Sequence, residues 1–155
     1  MNDVVRKVKP KELVKLNPIY MVANQERFLR ERKARIKNRD VDIYVLEHDG
    51  MFIGEITVVY HHFMGKDYTV PGKRVYLEAF RVLDICRGKG YGQYLLNEVI
   101  NKVREQGYSE ITIGVEDDNE NAKHIYSKYG FTELIKKERG DEYNPGEYSL
   151  YLKRF

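Results

Sequence analysis

Between a run rich in β-branched and aromatic residues and a strongly amphipathic stretch, the chain reads Arg87-Gly88-Lys89-Gly90-Tyr91-Gly92. Three glycines in five residues let the backbone take positive φ and let a ligand approach the main chain closely. Beyond them Leu95, Leu96, Val99, Ile100 and Val103 fall at i, i+1, i+4, i+5 and i+8, the spacing of one helical face, and Gly107 is placed to cap its end. The first N–H groups of such a helix have no intrahelical partner, and its dipole favours an anion there. Arg87 and Lys89 add positive charge beside them. These parts describe a phosphate or pyrophosphate cradle. The plainer alternative is a glycine-rich turn from strand to helix that binds nothing.

Two common phosphate motifs do not fit. A Walker A loop needs glycine five residues before its Gly-Lys pair, where this chain has Leu83, and Ser or Thr after the lysine, where it has Gly90. The dinucleotide fingerprint needs a third glycine where Gln93 stands.

The remaining elements follow from periodicity and turn chemistry. Val4–Val8 reads as a short strand, Pro10 starts a short helix through Leu16, and Asn17-Pro18 interrupts it. A second helix is expected over about Ile19–Lys37. Val41–Glu47 and Met51–Tyr60 are strands joined by the hairpin signal His48-Asp49-Gly50, and a turn-rich Gly65–Lys73 leads into a strand over Val75–Leu83. After the long helix come a strand Ile111–Val115, a helix Ala122–Tyr129 stopped by Gly130, and strands Phe131–Lys137 and Tyr148–Leu152. No repeat or linker interrupts this order, and 155 residues fit one domain, 1–155. Strand–helix–strand–helix after Val75 calls for an α/β (α+β) sheet with one parallel pair.

Composition removes several classes. One cysteine, Cys86, excludes an internal disulfide and suits a reducing compartment. The four histidines lack metal-ligand spacing, so no metal is expected. The first residues lack an apolar signal core, and no apolar run reaches the ~18 residues of a membrane span. The expected location is cytoplasmic. Net charge is +3, but residues 1–40 hold 12 Lys/Arg against 5 Asp/Glu (+7), and the rest 15 against 19 (−4). The basic run Glu26–Lys37 reads as a solvated helix face with Phe28, Leu29 and Ile36 turned inward. A nucleic-acid partner is not expected, because no recognition motif accompanies the run and the isoelectric point is 8.8.

Arg-x-x-Gly-x-Gly opening a helix resembles the acetyl-CoA signature of the GNAT superfamily of N-acetyltransferases. Downstream, Asn121, Ala122, Tyr126, Gly130 and Phe131 fit that family's Asn-x-x-Ala-x-x-x-Tyr-x-x-x-Gly-Phe pattern, with one helix and one strand between the two motifs. The resemblance covers Val75–Phe131 closely and the remaining element order loosely. It implies a mixed, mostly antiparallel central sheet of about seven strands flanked by about four helices. It also implies acetyl transfer from acetyl-CoA, without a metal, to a primary amine by direct attack in a ternary complex.

The resemblance assigns roles to residues. The amides of Gly88, Lys89, Gly90, Tyr91 and Gly92, beside Arg87, would receive the pyrophosphate. The strand over Val75–Leu83 would bulge and splay from Ile111–Val115, with Val82 and Leu83 offering backbone groups to the pantetheine arm. Tyr126 would protonate the departing thiolate, since a phenol keeps its proton at neutral pH. Asn121 would bond the cofactor arm or cap its helix.

For the base, Glu78 is the candidate, with Glu55 the alternative. Strand parity puts Glu78 on one side with Tyr76, Phe80 and Val82, and such neighbours would raise its pKa. Otherwise Glu78 forms a salt bridge, with Arg81 or Arg74. The acceptor, a small-molecule or peptide amine, would be lined by Asn17–Lys37, the Tyr60–Lys73 hairpin with His61, His62, Phe63 and Tyr68, and the Asp141–Tyr148 segment with Asp141, Glu142, Tyr143 and Glu147. A covalent route through Cys86 is set aside, because no histidine adjoins it and burial is the commoner fate of a cysteine. From another class comes a coenzyme A-binding sensor without turnover. An exposed edge strand could support a homodimer.

Overall fold

The computed structural model describes residues 3–20, 24–140 and 146–155. Among these residues seven strands form one sheet in the order β1-β2-β3-β4-β5-β7-β6. They are β1 Asp3–Lys7, β2 Val41–His48, β3 Met51–Val59, β4 Arg74–Val82, β5 Glu110–Glu116, β6 Glu133–Arg139 and β7 Glu147–Arg154. Every pairing is antiparallel except β4–β5, which the long helix crosses over to join. Among the described residues three α-helices flank the sheet: α1 Gln25–Lys37, α2 Tyr91–Glu105 and α3 Glu120–Lys128. Two 3-10 helices, Pro10–Leu16 and Asp84–Cys86, complete the set. The mostly antiparallel, mixed seven-stranded architecture is as expected.

Alternation along the strands sorts the core into two layers. Val41, Ile43 and Val45 join Leu13, Leu16, Leu29 and Ile36 under the first 3-10 helix and α1. Tyr44, Leu46, Ile56 and Val58 join Leu95, Leu96, Val99, Ile100 and Val103 of α2, with Phe131 beside them. The β2–β3 hairpin turns through Asp49 (φ 48°) and Gly50 (φ 83°), both left-handed as a two-residue hairpin of this kind requires.

Helix α1 begins at Gln25 and not near Ile19. Asn24 caps it, its side chain accepting from the Arg27 N–H at 2.9 Å, while Tyr20 closes a turn on Asn17. At α3 the cap is Asn119, which accepts from the Ala122 N–H at 3.0 Å. The capping role considered for Asn121 therefore falls two residues earlier. Asn121 stands exposed in the first turn of α3.

One irregularity shapes the rest of the sheet. Ala79 in β4 has φ 56°, and the β3–β4 register slips between Glu55 and Thr57, the mark of a β-bulge. Before the bulge Tyr76 packs toward α1; after it Phe80 and Val82 lie against Gly92 of α2. Glu78 therefore shares a face with Tyr76 but not with Phe80 or Val82, because the bulge inverts the parity that a regular strand would keep.

Candidate functional site

β4 and β5 pair only through Arg74–Leu77 and Glu110–Ile113, although β4 continues to Val82 and β5 to Glu116. Past the bulge the two strands part, and the gap opens toward the glycine loop. Alternation places the backbone groups of Val82 on the gap side of β4, since the next residue, Leu83, donates its N–H to Ile53 of β3 at 2.8 Å. The Leu83 carbonyl accepts from the Cys86 N–H, also at 2.8 Å. Both main-chain groups of Leu83 are thus engaged, and of the expected pair only Val82 faces the gap. Its carbonyl accepts from Arg87 Nε at 3.1 Å, and Arg87 also pairs with Asp84 at 3.0 Å. Arg87 braces the loop from within.

Gly88 (φ 76°) and Gly90 (φ 87°) are both left-handed, a conformation glycine takes without the Cβ clash of other residues. Gly90 is the N-cap of α2; no side chain caps this helix and no acid lies in its first turn. Among the described residues the N–H groups from Gly88 to Gln93 bond no carbonyl, and the first N–H to close is that of Tyr94, on Gly90 at 3.1 Å. Lys89 is exposed beside them. The Tyr91 ring packs 5.4 Å from His48, whose pKa is raised by its hydrogen bond to Asp3. Gly92 backs onto Phe80 and Val82; a Cβ there would meet each at 3.5 Å, an ordinary contact. Uncapped amides, two left-handed glycines and a cationic rim make an anion cradle.

Tyr126 comes from α3 to the α2 side of the sheet, its ring 6.3 Å from Phe80 and 6.1 Å from Phe131. Burial pushes its hydroxyl up to about 12, and among the described residues the hydroxyl has no hydrogen-bond partner. It lines a cleft of about 210 Å³ with Lys123, Ser127, Phe131, Thr132 and Tyr151. Cys86 is half-buried against the same core.

On the opposite face Glu78 is bound to Arg35 of α1, Nη1 to Oε2 at 2.8 Å. The salt-bridge alternative therefore holds, but with a different arginine, and of the three apolar neighbours expected only Tyr76 shares its face. Arg35 was hidden in the basic run Glu26–Lys37, because only the packing angle of α1 decides which of its cations reaches the sheet. Glu55 is fully buried. Arg32 and Tyr20 both bond its Oε1, and burial raises its carboxyl above the usual range.

The residues expected around an acceptor divide. His62 stacks on Tyr68 at 4.3 Å and on Phe63 at 4.7 Å; Tyr68 Oη lies 2.6 Å from Tyr148 Oη, and the Tyr148 ring covers Gly114 of β5. These aromatics stand on the Tyr76 side, where β4 and β5 separate. His61 lies away from them, in an open groove with Arg39, Tyr60, Gln106 and Tyr108 at the C-terminal end of α2. Glu147 is exposed at the start of β7, and Asp141, Glu142 and Tyr143 fall outside the described residues. Among the described residues no group of three or more His, Cys, Asp or Glu could hold a metal ion, and no helix is long and apolar enough to cross a membrane.

Known proteins share this fold. The sequence model described as the acetyltransferase (GNAT) family matches residues 12–131. An uncharacterized N-acetyltransferase of Bacillus subtilis is 32% identical over 102 residues, a stretch spanning 65% of this chain and 65% of that relative. A ribosomal-protein-alanine N-acetyltransferase of Brucella melitensis superposes with a TM-score of 0.74 at 18% identity, covering 98% of this chain and 99% of that one. A GNAT family acetyltransferase of Elizabethkingia anophelis with acetyl-CoA bound superposes at 0.70 with 15% identity, covering 99% of both chains.

Proposed function

The chain belongs to the acetyltransferase (GNAT) family, and from that premise we propose that it moves the acetyl group of acetyl-CoA to a primary amine by direct attack in a ternary complex. The observation that carries this is the coincidence of two openings. The β4–β5 gap and the uncapped N-terminus of α2 meet at Val82–Gly92, so one extended ligand can lay an anionic end on the loop amides and an arm in the gap. The residues present fit acetyl-CoA on that ground. A diphosphate matches the free N–H groups of Gly88 to Gly92 with Lys89 beside them, and a pantetheine amide matches the backbone of Val82. Bound there, acetyl-CoA supplies an acyl group already activated as a thioester.

The chain's own residues divide the proton work. Tyr126, held neutral by burial, donates its proton to the leaving sulfur. On the other side of the sheet Glu78 takes the proton that the acceptor ammonium must lose, directly or through water. Arg35 fixes the orientation of that carboxylate. Glu55 has no part in this transfer, being sealed beneath Tyr20 and Arg32. The acceptor is an amine of a small molecule or a peptide that meets the aromatic wall of Tyr76, Tyr148 and His62. The lone cysteine suits a cytoplasmic setting.

Calorimetric titration with acetyl-CoA tests the site. Saturable binding is expected for the natural chain and not for a folded Gly90→Trp variant, since residue 90 is left-handed and a bulky side chain would cover the loop amides. An amine screen for thiol release then separates transfer from mere coenzyme binding. No binding at millimolar acetyl-CoA overturns the proposal.

A further inference from the structure

Ala79 is left-handed without being glycine, asparagine or aspartate, so nothing in its own side chain favours that conformation. Such a residue persists only where its surroundings over-determine it. Here the surroundings are specific. Tyr20, nearly fully buried ahead of α1, reaches across the α1 face of the sheet and places its Oη 3.2 Å from the Ala79 carbonyl oxygen and 2.9 Å from Glu55 Oε1. A phenol has one hydrogen for two acceptors. Arg32 Nη2 also donates to Glu55 Oε1, and the single Tyr20 hydrogen is shared between that carboxylate oxygen and the Ala79 carbonyl. The Tyr20 ring is itself held: the guanidinium groups of Arg32 and Arg81 lie 4.9 and 4.8 Å from its centre, and Phe28 packs at 4.9 Å. Arg81 is the residue of β4 directly opposite Glu55, two positions after the bulge.

We propose that Tyr20, held by Glu55 and Arg32, is a positioning residue that fixes the bulge of β4 and thereby keeps the acetyl-CoA gap open from the far face of the sheet. The inference rests on the acetyl-CoA site put forward above. Its physical basis is the inversion at Ala79: that one residue turns Phe80 and Val82 onto the α2 face and sets where β4 leaves β5. Tyr20 packs on the α1 side and reaches the bulge through the Ala79 carbonyl. Because the gap must exist before the ligand enters, losing the bond shifts the bulge toward regular, right-twisted pairing and lowers affinity by the fraction of closed strand.

A double-mutant cycle tests this by calorimetry. Tyr20→Phe keeps the ring and removes the hydroxyl; acetyl-CoA affinity is expected to fall about tenfold while the chain stays folded. Ala79→Gly removes the Cβ clash that makes positive φ costly at this position. In the Ala79→Gly background Tyr20→Phe is therefore expected to cost less than about twofold. Equal losses in both backgrounds, or no loss when Ala79 is retained, overturn the proposal. If Tyr20→Phe does not fold alone, recovery of folding in the Tyr20→Phe, Ala79→Gly double variant supports it, and failure of both variants to fold makes Tyr20 a packing residue only. An unmutated chain that binds no acetyl-CoA overturns the functional proposal, a different outcome from one that binds it regardless of Tyr20.

Discussion

Replacing Tyr126 by phenylalanine separates chemistry from structure unusually well in this chain. The ring lies between Phe80 and Phe131, contacts that phenylalanine would keep, and among the described residues the hydroxyl has no partner whose loss could destabilise the fold. Thermal stability should therefore stay within about 2 °C of the natural chain. Acetyl-CoA affinity should stay within about threefold. The turnover number should not. A positioned general acid is worth roughly 10²–10⁴ in rate, so kcat with the best amine is expected to fall at least ~100-fold.

The pH profile adds a second check on Tyr126. Desolvation raises its pKa to about 12, so the neutral, proton-bearing form persists as pH rises and ionises only near that value. At pH 10, two units below, about 1% of the phenol is ionised. The kcat profile of the natural chain should show no descending limb below pH 10 from this group, while an ascending limb follows deprotonation of the acceptor amine. Initial rates of thiol release at saturating acetyl-CoA, from pH 6 to 10, measure both. A Tyr126→Phe chain that folds, binds and turns over within threefold of the natural one would refute the assignment.

Two further predictions concern what holds the site. Arg32→Met removes the cation that bonds the buried Glu55 carboxyl, and urea unfolding should show a loss of ~3–5 kcal/mol; a loss under ~1 kcal/mol would contradict the buried pair. Near the chain start, Glu12 is lowered to about 2 from 4.5, chiefly by its hydrogen bonds from Arg6 and then by the Lys9 N–H. A depressed carboxylate stabilises the fold fully above its unfolded pKa and loses that contribution as pH falls through the folded value. The melting-temperature difference between the natural chain and Glu12→Gln should therefore be constant from pH 7 to 5 and shrink between pH 4.5 and 2; a gap independent of pH would contradict the network.

Much of the fold was legible because its signals are local. The apolar stripe of α2 can be read from five residues and buries those same five. The glycine loop and the Asp49-Gly50 turn declare themselves because positive φ selects residue types. What escaped was whatever depends on two elements meeting. The cap of α3 moved from Asn121 to Asn119, since both are good caps and only the chain's entry angle chooses between them. The partner of Glu78 was Arg35 and not a neighbour on its own strand. The start of α1 was set by Asn24 and not by the proline turn before Ile19.

The parity error at Glu78 has the deepest cause, and it bears on how the site works. A β-bulge adds one residue to a strand and exchanges the two faces beyond it, yet Glu78-Ala79-Phe80 carries no glycine to announce one. Alanine there shows that the distortion is imposed by tertiary contact, and the contact comes from Tyr20, some 60 residues earlier in the chain. Had Ala79 been regular, Glu78, Phe80 and Val82 would share one face. The inversion instead leaves Glu78 with Tyr76 and Arg35 on one face and sends Phe80 toward Tyr126 on the other. On the proposed mechanism, an amine arriving from the α1 face and a thiolate leaving toward α3 would meet oppositely placed proton partners. On the proposed mechanism, the separation of the two proton partners rests on one strained residue held by one phenol.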